Sequence, residues 1–286
     1  MIRSLLLLAL SLPITGSLRT CPPPQTTSEG AVTATGIISD QDGAIVIEGA
    51  FDRFTTDEMG NVYALKGDEL MLFDKEGAQF MRNSVKTFGR ITQIDAFYSL
   101  KPMVFSAEQG MLAVLDNTLS VQGSVIEIRR NFPQVVLAAM SVQNHFWLFD
   151  ERELSIIRVD RQLRPISDTG RLDQLLGFTP TPVSMQEYDS WLYVNDPRNG
   201  LLVFDLFGTY GRTIPITGAK SFEVRGNEIF FFKDDGLHVY DMRSFTINEV
   251  PLPGAIGGVN DARVENGRIY MHLPDRIVIA PARRQP

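Results

Sequence analysis

The chain has a single cysteine among 286 residues, Cys21, so no internal disulfide can form. Histidine is nearly as scarce. His145, His238 and His272 stand far apart, none with a His or Cys at metal-ligand spacing, which argues against a zinc site. There is no run of Lys or Arg, and the formal net charge is −7, which argues against a nucleic-acid partner. No nucleophile elbow, phosphate loop or dinucleotide fingerprint occurs, so the sequence offers no catalytic residues, cofactor or metal site. The apolar run from Leu5 to Leu12 falls short of the roughly 20 residues that a helix needs to cross a bilayer.

What the chain does have is a repeated phrase: an aliphatic residue, three mostly apolar residues, then Asp. It reads Leu70 to Asp74, Leu112 to Asp116, Ile156 to Asp160, Leu201 to Asp205 and Leu237 to Asp241. A sixth copy starts at Ile277 and has Pro281 in place of the Asp. A spacing of about 40 residues between units built of short strands predicts a β-propeller. Each phrase follows a β-branched and aromatic run such as Phe146–Phe149 or Ile229–Phe232. Such runs suit second strands buried on both faces between blades, with the Asp phrase as the third strand. The Asp is expected to accept backbone N–H groups of the next turn, and Gly77 and Gly208 to supply positive φ there.

The string Gly60-Asn61-Val62-Tyr63, followed by Phe73-Asp74-Lys75-Glu76-Gly77 and Phe80, resembles an NHL-type propeller repeat. The array is similar to the broad six-bladed class that includes NHL, YWTD and Tol-type propellers. That resemblance implies an all-β fold of six four-stranded antiparallel blades over residues 44–283, with 284–286 as a tail. The last unit is one strand short, and Ala44–Ile47 is expected to complete it and close the ring. The class holds enzymes, scaffolds and sensors alike, including calcium-dependent lactonases whose acidic set does not map onto this chain.

Residues 1–20 read as a secretory signal, with Arg3, a short apolar run and then small residues. Residues 21–43 read as a flexible spacer that opens Cys-Pro-Pro-Pro. The arrangement resembles a bacterial lipoprotein, with Cys21 as the acylated residue and the membrane reached through its lipid. Leu18 fits that pattern, while Arg19 and Thr20 depart from it, so plain cleavage near Gly16 or Ser17 stays open. Either way the expected compartment is the extracytoplasmic bacterial envelope.

In a propeller, the turns between second and third strands share one face with the connections between blades. The turns on that face are acidic, with Asp68, Glu69, Glu108, Asp150, Asp196, Asp235 and Asp275 among them. Its longest connection carries Leu172, Leu175 and Leu176, expected to share one face of a short helical turn, and then Phe178. Aromatic and Arg residues dominate protein-binding hot spots. The candidate docking set is therefore Arg130, Phe132, Leu175, Leu176, Phe178, Asp196 and Arg198. The expected function is a non-catalytic envelope propeller that binds a protein partner through this face, as an assembly or scaffold factor. A lactonase- or hydrolase-type enzyme and a small-ligand or glycan module are the alternatives.

Overall fold

The computed structural model describes residues 43–84, 88–97, 101–253 and 258–282. The signal segment, most of the spacer, Cys21 and the tail lie outside them. The described chain forms six four-stranded antiparallel sheets arranged as the blades of a propeller. The innermost strands are Arg53–Thr56, Gln93–Asp95, Val135–Ser141, Ser184–Tyr188, Ser221–Arg225 and Asp261–Glu265. In blades one to five the chain then steps outward strand by strand. Blade six has only three strands of its own, and its outermost position is taken by Ile45–Glu48. That segment pairs antiparallel with Arg276–Pro281, Ile45 opposite Ile279 and Ile47 opposite Ile277. The expected closure is thus the observed one, with the strand running to Glu48.

The core is divided into six layers, each lying between two neighbouring blades. Strand periodicity explains the near-continuous apolar runs. In His145–Asp150, Phe146 and Leu148 pack toward blade two, while Trp147 and Phe149 pack toward blade four. Side chains alternate between faces, and here both faces are interior, so alternation of polar and apolar residues is lost.

The repeated Asp does the turn-closing work expected of it. One oxygen of Asp205 accepts the N–H groups of Phe207 and Thr209, both at 2.8 Å. Asp74 holds Glu76 and Ala78 in the same way, Asp116 holds Thr118 and Ser120, and Asp160 holds Gln162 and Arg164. Asp241 takes Arg243 and Ser244. Gly208 has φ +82°, and a Cβ there would come within 2.9 Å of the Asp168 carbonyl in the preceding blade. Gly77, at φ +80°, would meet Ile45 of the closing strand at 2.6 Å. Glycine is needed at both for conformation and for close approach between blades.

Hydrogen bonds hold three of these carboxyls below the usual range. The leading donor is the Thr118 hydroxyl for Asp116, the Arg164 amide for Asp160 and the Ser244 amide for Asp241. A lowered folded-state pKa stabilises the fold at pH above the ordinary carboxylate range, and that contribution is lost as pH falls through the lowered value. Asp205→Ala is expected to cost about 1–2 kcal/mol through loss of charge-assisted bonds. Urea unfolding measures this, and an unchanged midpoint at unchanged slope would remove the turn-closing role.

Candidate functional site

Among the described residues, the connection between blades three and four is the one that carries an α-helix. It carries the short helix Leu172–Leu176, which ends on Gly177 at φ 77°, whose N–H bonds the Asp173 carbonyl. Leu172 is fully buried, and Leu176 and Phe178 pack half-buried on the layer between these blades. Leu175 is left 47 % exposed. The three leucines were expected to share one face; two of them anchor the helix and one is presented to solvent. Arg171 and Asp173 pair beside it at 2.9 Å.

The other members of the docking set are spread around this face. Arg130 and Arg198 are exposed, and Phe132 packs half-buried against the layer between blades two and three. Asp196 is 0 % exposed. Its carboxylate accepts the N–H groups of Thr181, Arg198 and Asn199, so its part is to shape the turn that carries Arg198. Several acids of the rim are engaged locally. Asp150 caps its own turn through Arg152 and Glu153, Asp235 pairs with Lys220 at 2.9 Å, and Glu69 pairs with Arg82.

The opposite face carries the turns that close on the repeated Asp. There Phe207 is 79 % exposed and Phe245 66 %, in neighbouring blades four and five, with Trp191 partly exposed nearby in sequence and blade. The hydrophobic reading of the connections missed this pair, because both lie in the Asp-closed turns of the opposite face and not in the connections between blades.

The innermost strands surround a channel cavity of about 280 Å³. It runs from Arg53, Val183 and Lys220 at the strand starts to Thr56 and Phe97 at the strand ends. An innermost strand has no strand partner on its channel side, so its backbone groups need other partners. Side chains of the adjacent blade supply them. Gln93 Oε1 accepts the Ala138 N–H and the Asp95 carboxylate the Met140 N–H, both at 2.8 Å. Gln186 Oε1 accepts the Val224 N–H at 2.9 Å. The Ser221 hydroxyl donates to Asp261, and Arg225 donates to Glu265 at 2.6 and 2.8 Å.

A second buried network joins blades three and four. Glu187 accepts the Ser141 hydroxyl and Trp147 Nε1, each at 2.5 Å, and the Val142 N–H at 3.0 Å. Arg158 Nε donates to the Ser141 oxygen at 2.8 Å, and its guanidinium lies 5.7 Å from the Trp147 ring centre.

Burial pushes the Asp95 carboxyl above its ordinary range, against the pull of the Met140 and Phe97 amides. Burial also raises Glu223, to about 7, against the attraction of Arg225 and Arg263. Arg53 is lowered by partial desolvation first and by the like charge of Arg263 second. None of these residues was singled out in the sequence. A signal was present: a charged or amide residue recurs inside the first strand of most units, as Asp95, Gln186, Glu223 and Arg263.

The histidines are packed as single side chains. His272 Nε2 lies 2.9 Å from the Phe51 carbonyl oxygen, and His238 stacks on Phe231 at 5.2 Å. Burial lowers the His145 pKa, with Arg158 second. Among the described residues no cluster of three or more His, Cys, Asp or Glu could hold a metal ion. Among those residues, too, no helix is long and apolar enough to cross a membrane.

No protein-family model and no curated protein matches the chain. Among solved structures it is similar to the Pan2 WD40 domain of Neurospora crassa, with a TM-score of 0.58 and 8 % identity over 83 % of this chain and 90 % of that one. It is also similar to virginiamycin B lyase from Staphylococcus aureus, with a TM-score of 0.55 and 10 % identity over 86 % and 93 %. BBS1N, solved in complex with ARL6DN, matches with a TM-score of 0.51 and 10 % identity over 79 % and 76 %. At such identities the likeness establishes the propeller fold.

Proposed function

We propose that this propeller works in the bacterial envelope as a non-catalytic binding platform, and that a protein partner docks on the face bearing the blade connections. The observation that carries this is the helix Leu172–Leu176. Leu172 and Leu176 fix it to the blades, its end is closed by a left-handed glycine, and Leu175 is presented half-exposed beside a charged pair. A rigidly held apolar residue within a charged rim is common interface anatomy, and pre-organisation lowers the entropy lost on docking. Arg130, Phe132, Phe178 and Arg198 extend the same face, and Asp196 holds the Arg198 turn in place. NHL-type kinship and a scaffold role belong to this proposal.

The opposite face is a second reading, favoured by the exposure of Phe207 and Phe245. Virginiamycin B lyase is named for an enzyme activity, whereas BBS1N was solved with a protein bound. For the lactonase alternative, the Arg263 guanidinium stands among the channel carboxyls and opposes a cation there.

Replacing Leu175 and Phe178 together with Ser is expected to abolish co-purification of the partner from solubilised membranes. Phe178 is half-buried, so Leu175→Ser alone serves as the variant that spares the fold; its melting temperature should match the natural chain. Loss of the partner only on Phe207→Ser would move the docking site to the other face. Location has its own test. If Cys21 is acylated, Cys21→Ser should shift the protein from the membrane to the soluble fraction, and unchanged fractionation would leave plain secretion.

A further inference from the structure

We propose that the central channel binds a small organic carboxylate between Arg53 and Arg263. This goes beyond docking on the outer face and does not depend on it.

The argument rests on which charges of the wall already have partners. The acids are engaged. Asp95 accepts two backbone N–H groups, from Met140 and Phe97. Asp261 accepts the Ser221 hydroxyl, and one oxygen of Glu223 is held by Arg225. Lys220 is paired with Asp235. The two arginines differ. Both line the cavity, from adjacent blades one and six, and the like charge of Arg263 adds to the cost of charging Arg53. Arg263 lies 5.7 Å from the Phe54 ring centre, and its buried Nε has no hydrogen-bond partner among the described residues. Asp261 and Asp52 act on Arg53 through their fields, but among the described residues no carboxylate forms an ion pair with either guanidinium.

A second observation points the same way. Glu223 is only 5 % exposed, yet its Oε2 has no partner, and the side chain lines the cavity. Ser184 Oγ, also on this wall, is likewise unpartnered. Buried polar atoms without partners are rare in native proteins and signal a missing ligand or water. A planar carboxylate matches the guanidinium fork, and near pH 7 a protonated Glu223 can donate a further bond to it. Phe54, Ile94, Leu137, Met185 and Phe222 supply apolar wall for the rest of the molecule. A cavity of about 280 Å³ lies just below the roughly 300 Å³ at which ligand-site volumes begin, which limits the ligand to a small molecule.

Titration calorimetry on the purified full-length chain tests this, with acetate, benzoate, succinate, inorganic phosphate and benzylamine as probes. At least one carboxylate should bind saturably at one site, and benzylamine should not. Arg263→Gln and Arg53→Gln should each weaken that binding by roughly tenfold or more, through loss of a charge-assisted pair, with the melting temperature maintained. Binding should weaken from pH 6 to pH 8 as Glu223 ionises within reach of Arg225, Arg263, Glu265 and Asp261. Glu223→Gln should flatten that dependence. No saturable heat with any of the three carboxylates at millimolar concentration would overturn the proposal. So would affinity unchanged in both arginine variants, or phosphate binding more tightly than every carboxylate.

Discussion

Deleting Ile45–Glu48 is expected to lower stability by about 4–6 kcal/mol, which for a domain of this size is a fall of roughly 10–20 °C in melting temperature. Two losses combine. Ile47 is buried against blade one, between Ile277 and the Phe54 and Phe73 side chains of the same layer. The ladder to Arg276–Pro281 also disappears, which turns a paired strand into an open edge in the last blade. An exposed apolar edge invites pairing between molecules, so aggregation on heating should accompany the shift. Scanning calorimetry of this deletion, beside one of residues 22–40, reads the effect. A melting temperature unchanged by loss of Ile45–Glu48 would mean that the ring holds without its closing strand.

Glu187→Ala is the point substitution with the largest expected effect, about 3–5 kcal/mol. It strips an acceptor from three donors at once: the Ser141 hydroxyl, the Val142 N–H and the Trp147 indole. It also leaves buried Arg158 bonded to a serine that has lost its anchor. Ser141, Trp147 and Arg158 are buried, so the cost is mainly desolvation. Glu187→Gln keeps one acceptor oxygen and should cost clearly less. Urea unfolding followed by tryptophan fluorescence measures both variants. A Glu187→Ala protein within 1 kcal/mol of the natural chain, on the scale of an ordinary surface change, would show that the network is incidental.

The propeller was legible because its strongest determinants are local and repeated. The Asp phrase marks each third strand, the apolar run before it marks the second, and the missing strand of the last unit pointed to Ala44–Ile47. The Asp turns were readable too, since a short carboxylate can reach only the amides two to four residues on. The channel was not readable. Asp95, Glu223 and Arg263 come from three different blades, and only ring closure brings them to one cavity. The face proposed for docking was legible in part. Sequence placed Leu172, Leu175 and Leu176 on a helical turn, but which leucine is left to solvent depends on how the helix lies on the layer beneath. Asp196 looked like a surface acid because turns are polar, whereas the turn folds around its carboxylate and buries it.

Site-specific photo-crosslinking in intact cells tests the central claim most directly. A photoreactive side chain is introduced at Leu175 in one variant and at Phe207, on the opposite face, in another. Both positions are exposed, so neither replacement disturbs the core. The platform reading predicts a discrete protein adduct from position 175 and none from position 207. An adduct from position 207 alone, or none from either, would contradict it.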